Sequence, residues 1–270
     1  MRALLFVVVI LLAGCPRIVR PTFPHTDANV LLRAHDSMRA RVTSLRAEAR
    51  VDQRGHQGRI RGTVLMFVEK PDRVRFDAMT QFGPAAILTS DGATFSLTDL
   101  RERRFMIGPT CPNNIARLLG IPLSGEDVGR MLLGGAPRMP NAGVSLAMSD
   151  EGYYRVTLHA HDGTRQELDY TIRESDANAP PAEQRLRLIR AEAYDAQDAT
   201  IWRAIYRDYR VIPLGEMGVA MPYEVHFFDP RHATDVLIHF ESIDLNVQVP
   251  EGAFTQEPPP AVSIEEVSCE

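Results

Sequence analysis

The sequence predicts a mainly β protein, an extended antiparallel sheet or barrel with a few short helices. Three observations predict it. From Arg59 onward most segments alternate apolar and polar residues at period two, the signature of half-buried strands. They follow one another closely, broken by turn pairs such as Asp91-Gly92 and not by the long crossovers that parallel strands require. Helical periodicity is confined to one segment near the start and an island at 112–137.

The chain opens with Arg2 and an unbroken apolar run, residues 3–13, followed by Gly14 and Cys15. A membrane-crossing helix needs roughly 20 apolar residues. This run is shorter, and Pro16, Arg17 and Arg20 follow at once. Its length suits the apolar core of a secretory signal. The ending Leu12-Ala13-Gly14-Cys15 resembles the lipobox of bacterial lipoproteins, in which the cysteine is diacylated and becomes the new N-terminus. That resemblance implies a signal peptide at 1–14, a lipid on Cys15 and a Pro-rich tether at 15–26. Acyl chains hold a protein to a membrane because each buried methylene contributes ~0.8 kcal/mol. Pro16 stands where such lipoproteins carry an Asp when retained at the inner membrane, so the expected location is the periplasmic face of the outer membrane.

Composition sets further bounds. Apolar residues make up 44% of the 270, enough for a real core, and the net charge is −5. Charge is unevenly placed: residues 16–80 hold thirteen basic against seven acidic residues, and 81–270 hold sixteen against twenty-eight. A basic N-terminal third beside a lipidated end either lies against anionic headgroups or is a solvated face. Nothing in the sequence reads as a nucleic-acid module. Beyond Cys15 two cysteines remain, Cys111 and Cys269; in an oxidising compartment they either pair or stay free thiols.

Element by element, 27–48 reads as a helix. Leu31, Ala34, Met38, Val42 and Leu45 form one stripe, Asp27 is its N-cap, and Arg33, Asp36, Arg39, Arg46 and Arg50 lie largely off the stripe. Strands follow at 59–68, 72–79, 85–100 (a hairpin turning at Asp91-Gly92) and 103–108. In the island, Ile115, Leu118 and Leu119 make a short helix stopped by Gly120. Ser124 with Asp127 fits a capping box, and Val128, Met131, Leu132 and Leu133 form a second apolar face ended by Gly134-Gly135. A long second meander runs to about residue 247, with a Pro-containing break at 179–182. Residues 27–255 therefore form one domain, and the acidic, Pro-rich tail 256–270 is expected to be mobile.

Enzyme signatures are absent: there is no nucleophile elbow, phosphate-binding loop, H-E-x-x-H or dinucleotide fingerprint. His159 and His161 would share a strand face, but a pair without a third ligand reads as surface, and no metal is expected. His226 and His239 read as ordinary strand polars near Asp229 and Glu241. No cofactor is expected beyond the covalent lipid on Cys15.

The order of elements (lipobox, helix, meander, two apolar helices, second meander) resembles the LolA/LolB family, the periplasmic carrier and outer-membrane receptor of lipoprotein sorting. Local stretches agree: SLRAEARVD from Ser44, PDRVRFDAMTQFGPAAILTSDGATFSL from Pro71, NNIARLLGIPLSGEDVGRMLLG from Asn113 and the late strands from Ala199, over roughly 27–259. The resemblance implies a curved, incomplete antiparallel β-barrel closed by a lid of short α-helices. It implies a non-catalytic apolar cavity for acyl chains, with Val64, Met66, Val74, Phe76, Ile87 and Leu97 from the sheet. Leu118, Leu119, Met131 and Leu132 would come from the lid. The alternative for each is plain core packing. In the loop Thr80-Gln81-Phe82-Gly83-Pro84, the resemblance makes Phe82 the membrane-inserting residue; otherwise Phe82 packs inward at a strand end. The family's lid-latching arginine has no clear match in the sequence. The implied partners are a membrane, acylated lipoproteins or lipids, and a periplasmic LolA-like carrier. Competing expectations are transport or sensing of free lipid or glycolipid on the same fold, and a structural role in an envelope complex.

Overall fold

The computed structural model describes residues 19–55, 58–140, 142–215 and 218–269. The proposed signal peptide and Cys15 lie outside these residues.

Helix α1 spans Ala28–Ala40, and the Asp27 carboxylate accepts from the backbone N–H groups of Asn29 and Val30, at 2.7 and 3.1 Å. It ends eight residues before the sequence pattern predicts. Leu45 fits both the helical stripe and a strand alternation with Ala47, Ala49 and Val51, and pairing with two neighbouring strands decides for the strand.

The strands of the first meander are β1 (Ser44–Gly55), β2 (Gly58–Glu69), β3 (Arg73–Thr80), β4 (Gly83–Ser90), β5 (Thr94–Asp99) and β6 (Arg104–Pro109). Helices α2 (Pro112–Leu119) and α3 (Gly125–Leu132) follow. The second meander comprises β7 (Gly143–Met148), β8 (Tyr154–His159), β9 (Arg165–Ile172), β10 (Leu186–Tyr194), β11 (Thr200–Ile212), β12 (Val219–Asp229) and β13 (Thr234–Leu245). A last strand, β14, covers Ser263–Glu266. All belong to one large, open, curved sheet in the order β14-β6-β5-β4-β3-β2-β1-β13-β12-β11-β10-β9-β8-β7. Strand β1 joins the two meanders: Ala47 stands opposite Met66 on one side and Ile243 on the other.

One face of the sheet carries a continuous apolar cluster. Leu31 of α1, Ile115 and Leu119 of α2, and Val128, Met131 and Leu132 of α3 belong to it. The caps of the short helices act as their sequence says. The Ser124 hydroxyl accepts from Asp127 N–H at 3.1 Å. Gly120 ends α2 in the left-handed region at φ 70°, where a Cβ would also collide with the Gln53 side chain.

The tail departs from its expected mobility. Gln256 lies on the opposite face of the sheet, donating to Ile87 O at 3.0 Å and Thr89 Oγ1 at 3.1 Å, while Thr98 donates to it at 2.7 Å. Strand β14 then pairs parallel to β6, and Cys111, the N-cap of α2, is bonded to Cys269 with their Cα atoms 6.0 Å apart. Acidic and Pro-rich composition carries no information about a specific edge strand and a specific thiol. The part of the tether within the described residues also lies on the body. Thr22 N–H donates to Ala177 O at 2.7 Å and His25 N–H to the Tyr154 hydroxyl at 3.0 Å.

Candidate functional site

Eight of the ten residues expected to line a cavity are buried in the one cluster. Met66, Val74, Phe76, Met131 and Leu132 are 0% exposed, and Val64, Leu97 and Leu119 are at most 5% exposed. Leu118 is half-buried against the same cluster. At 0% exposure no water-sized probe reaches the middle, so the sheet face and the helices are closed on each other.

Ile87 is the exception and corrects the expectation. In the register of β3 and β4, Phe76 stands opposite Leu88 and Asp77 opposite Ile87. Successive strand residues face opposite sides. Leu88, fully buried, is therefore the inward residue, and Ile87 faces the side on which Gln256 lies.

Phe82 is 92% exposed. Its loop is rigidly built: the Thr80 hydroxyl donates to Gly83 O at 2.8 Å and accepts from Phe82 N–H at 3.2 Å, and Gly83 takes φ 119°. The inward-packed alternative is thereby excluded. Following the antiparallel register across the sheet, the Thr80–Gly83 turn lies at one end of the strands. The chain entry beside Tyr154 lies at the other.

The sequence reading missed Arg39. Set among residues off the apolar stripe, it is only 6% exposed. Its guanidinium donates to Leu133 O at the end of α3 (3.2 Å) and to Ala220 O in β12 (2.8 Å), and its Nε has no partner. Gly134 explains the close approach. It takes φ 77°, and a Cβ there would lie 2.9 Å from Pro222 and 3.1 Å from the Arg39 guanidinium. No sequence signal marks Arg39, because its partners are backbone carbonyls far along the chain. A cleft of about 310 Å³ opens beside it, between α1, the β2–β3 turn, α3 and the segment after α3.

The sequence matches no known protein family and no curated protein. Solved structures do match. A domain assigned to outer membrane lipoprotein sorting from Vibrio parahaemolyticus aligns with TM-score 0.53 at 10% identity, over 84% of this chain and 97% of that one. A LolA superfamily protein from Nitrosomonas europaea aligns with TM-score 0.54 at 13% identity, over 86% and 99%. A DUF1329 family protein from Desulfovibrio piger aligns with TM-score 0.55 at 11% identity, over 84% and 95%. The chain shares the fold of these three structures, one of them a LolA superfamily protein.

Within this LolA-like fold a buried polar group surrounds Arg39. His35, one turn earlier on α1, is 1% exposed and packs edge-on against Tyr170 with ring centroids 5.0 Å apart. Its Nδ1 is 3.7 Å from Asp36, beyond hydrogen-bond distance, and burial pulls its pKa down to about 4. Burial also lowers the pKa of Arg39 and pushes the Tyr209 hydroxyl up to about 12. Tyr206 donates to Gly135 O at 2.6 Å and Tyr209 to Leu188 O at 2.5 Å. Arg39, Tyr206 and Tyr209 satisfy backbone carbonyls in the LolA-like interior, whereas both ring nitrogens of His35 are buried without a partner. Among the described residues there is no cluster of three or more potential metal ligands, and His159 and His161 do not seed one. Among them, too, no helix is long and apolar enough to cross a membrane.

Proposed function

We propose that this protein is a non-catalytic, lipid-anchored component of the bacterial envelope that shields acyl chains between its apolar sheet face and helices α2 and α3. Its role would be to receive or localise lipoproteins at the outer membrane. The observation that carries the reading is the continuous apolar cluster shared by that face and two short helices. It is supported by the fold, since one similar structure belongs to a domain assigned to lipoprotein sorting. A buried acyl chain gains ~0.8 kcal/mol per methylene. The interior is closed, so chains enter only when α2 and α3 move outward as a lid. Met66 and Met131, flexible and unbranched, suit a lining that must repack.

In this reading the lipid on Cys15 tethers the domain and Phe82 inserts into a bilayer. The geometry constrains how. Residues 15–22 span at most about 25 Å when fully extended. Strand β3, with eight residues, separates the Phe82 turn from the far end by ~26 Å. An upright domain leaves the tether stretched to its limit, so both contacts to one bilayer require strands lying along the membrane.

The test is complex formation. The protein, with Cys15 replaced by Ala and the leader omitted, is mixed with an acylated lipoprotein and with its unacylated twin. Co-elution with the acylated form alone supports the reading; co-elution with both, or neither, rejects it. A second reading, transport of free lipid on the same fold, is favoured by the charge of the cleft beside Arg39.

A further inference from the structure

The cleft beside Arg39 carries more positive charge than it neutralises. Its walls hold Arg39, Lys70, Arg130 and Arg138 against two carboxylates, Asp36 and Glu126. Both carboxylates are already engaged: Asp36 accepts from Arg138 at 2.8 Å, and Glu126 pairs with Arg130 along α3. Arg39 and Lys70 have no carboxylate in salt-bridge reach among the described residues. Lys70 Nζ donates to Arg39 O at 2.6 Å, and Arg39 reaches only carbonyls and the Met221 sulfur.

A buried cation without a counter-charge is costly unless something compensates it. Arg39 is nine-tenths buried and keeps one donor, Nε, without a partner. Burial also lowers the pKa of Lys70, the chain's single lysine. The remaining wall is apolar: Leu133 and Ala136 line the cleft and belong to the core cluster. The cleft therefore sets a cationic mouth against two residues of the closed apolar interior, Leu133 and Ala136.

We infer that this cleft binds a phosphate group, held by Arg39 and Lys70, and that an attached apolar chain would continue past Leu133 toward α3. The inference rests on the acyl-shielding reading and sharpens it. An acylated cysteine in ester and amide linkage brings no negative charge to such a mouth, whereas a phospholipid brings one. The cleft volume, about 310 Å³, holds a headgroup and leaves the chains to the interior.

The test uses full-length protein in a neutral detergent and three probes: dihexanoyl phosphatidic acid, its uncharged counterpart dihexanoylglycerol, and inorganic phosphate. Charge-assisted hydrogen bonds predict that the phosphatidic acid binds at least about tenfold more tightly than dihexanoylglycerol. Lys70→Gln, at the exposed rim, should erase most of that preference. Phosphate alone binding as tightly as the lipid supports the site and assigns it to free phosphate. Equal affinity for both lipids, unaffected by Lys70→Gln, overturns the phosphate site and leaves acyl shielding standing. Binding of neither lipid removes both.

Discussion

Arg39 donates to the carbonyl of Leu133, 94 residues along the chain, at 3.2 Å, and so ties α1 to the end of α3. The same guanidinium reaches Ala220 O in β12, so one buried side chain holds a helix end and the sheet together. Replacing it with Leu removes both bonds and also removes an uncompensated buried charge. Global stability should therefore change little, while α3 loosens. Amide exchange in α3 should accelerate several-fold against an unchanged β1–β2 pair, measured by hydrogen–deuterium exchange. Unchanged protection in α3 would show that Arg39 does not hold the helix.

The bond between Cys111 and Cys269 fastens the tail to the start of α2 across a separation of 158 residues. A disulfide closing a long loop contributes roughly 2–5 kcal/mol. Cys269→Ser should lower the melting temperature and release β14 from β6 first, because β14 is a four-residue edge strand. Exchange that reaches β14 and β6 together with the rest of the sheet would contradict this order.

Phe82 makes little contact with the body, so Phe82→Ser should change stability by less than about 0.5 kcal/mol. Transfer of acylated cargo to liposomes should nevertheless fall. A variant that melts normally and transfers normally removes Phe82 from membrane contact.

His35 gives a pH dependence. Its folded pKa, about 4, lies below the unfolded 6.5, so the unfolded chain binds the extra proton first. Stability should fall as pH drops from 6.5 toward 4, by up to roughly 3 kcal/mol from this group. His25 is shifted the same way by burial. The groups facing His35 are Asp36, Arg39, Arg138 and Tyr170. Asp176, held at about 2 mainly by its bond to Arg185, loses its contribution only from about pH 3.8 downward, outside this window. Denaturant titrations of the wild type and His35→Leu at pH 7 and pH 5 measure the slope. Equal slopes in the two proteins would contradict the assignment.

What the sequence made legible was local. The caps Asp27, Ser124 and Gly120, the Asp91-Gly92 turn and the alternating strands each depend on residues a few positions apart, and each is where its pattern puts it. The end of α1 was not legible, because Leu45 satisfies two periods and only its cross-strand partners choose between them. Ile87 was misplaced for a related reason. Ala85, Ala86, Ile87 and Leu88 are apolar on both faces, and alternation is silent where the tail covers the second face. Arg39 and Tyr206 bind carbonyls 94 and 71 residues away, and no residue type marks such a partner. The meeting of Cys111 with Cys269 is equally a product of the fold.

The central claim is that acyl chains lie between α3 and the sheet face. A Cβ built at Gly129 of α3 would stand 3.1 Å from a methyl group of Val68 in β2, so a cysteine pair at these positions can lock the helix down. The measurement is binding of an acylated lipoprotein to Gly129→Cys/Val68→Cys, oxidised and then reduced, with the wild type treated identically to control for the native disulfide. The account predicts no binding when locked and recovery on reduction. Full binding by the locked protein would place the chains elsewhere and contradict it.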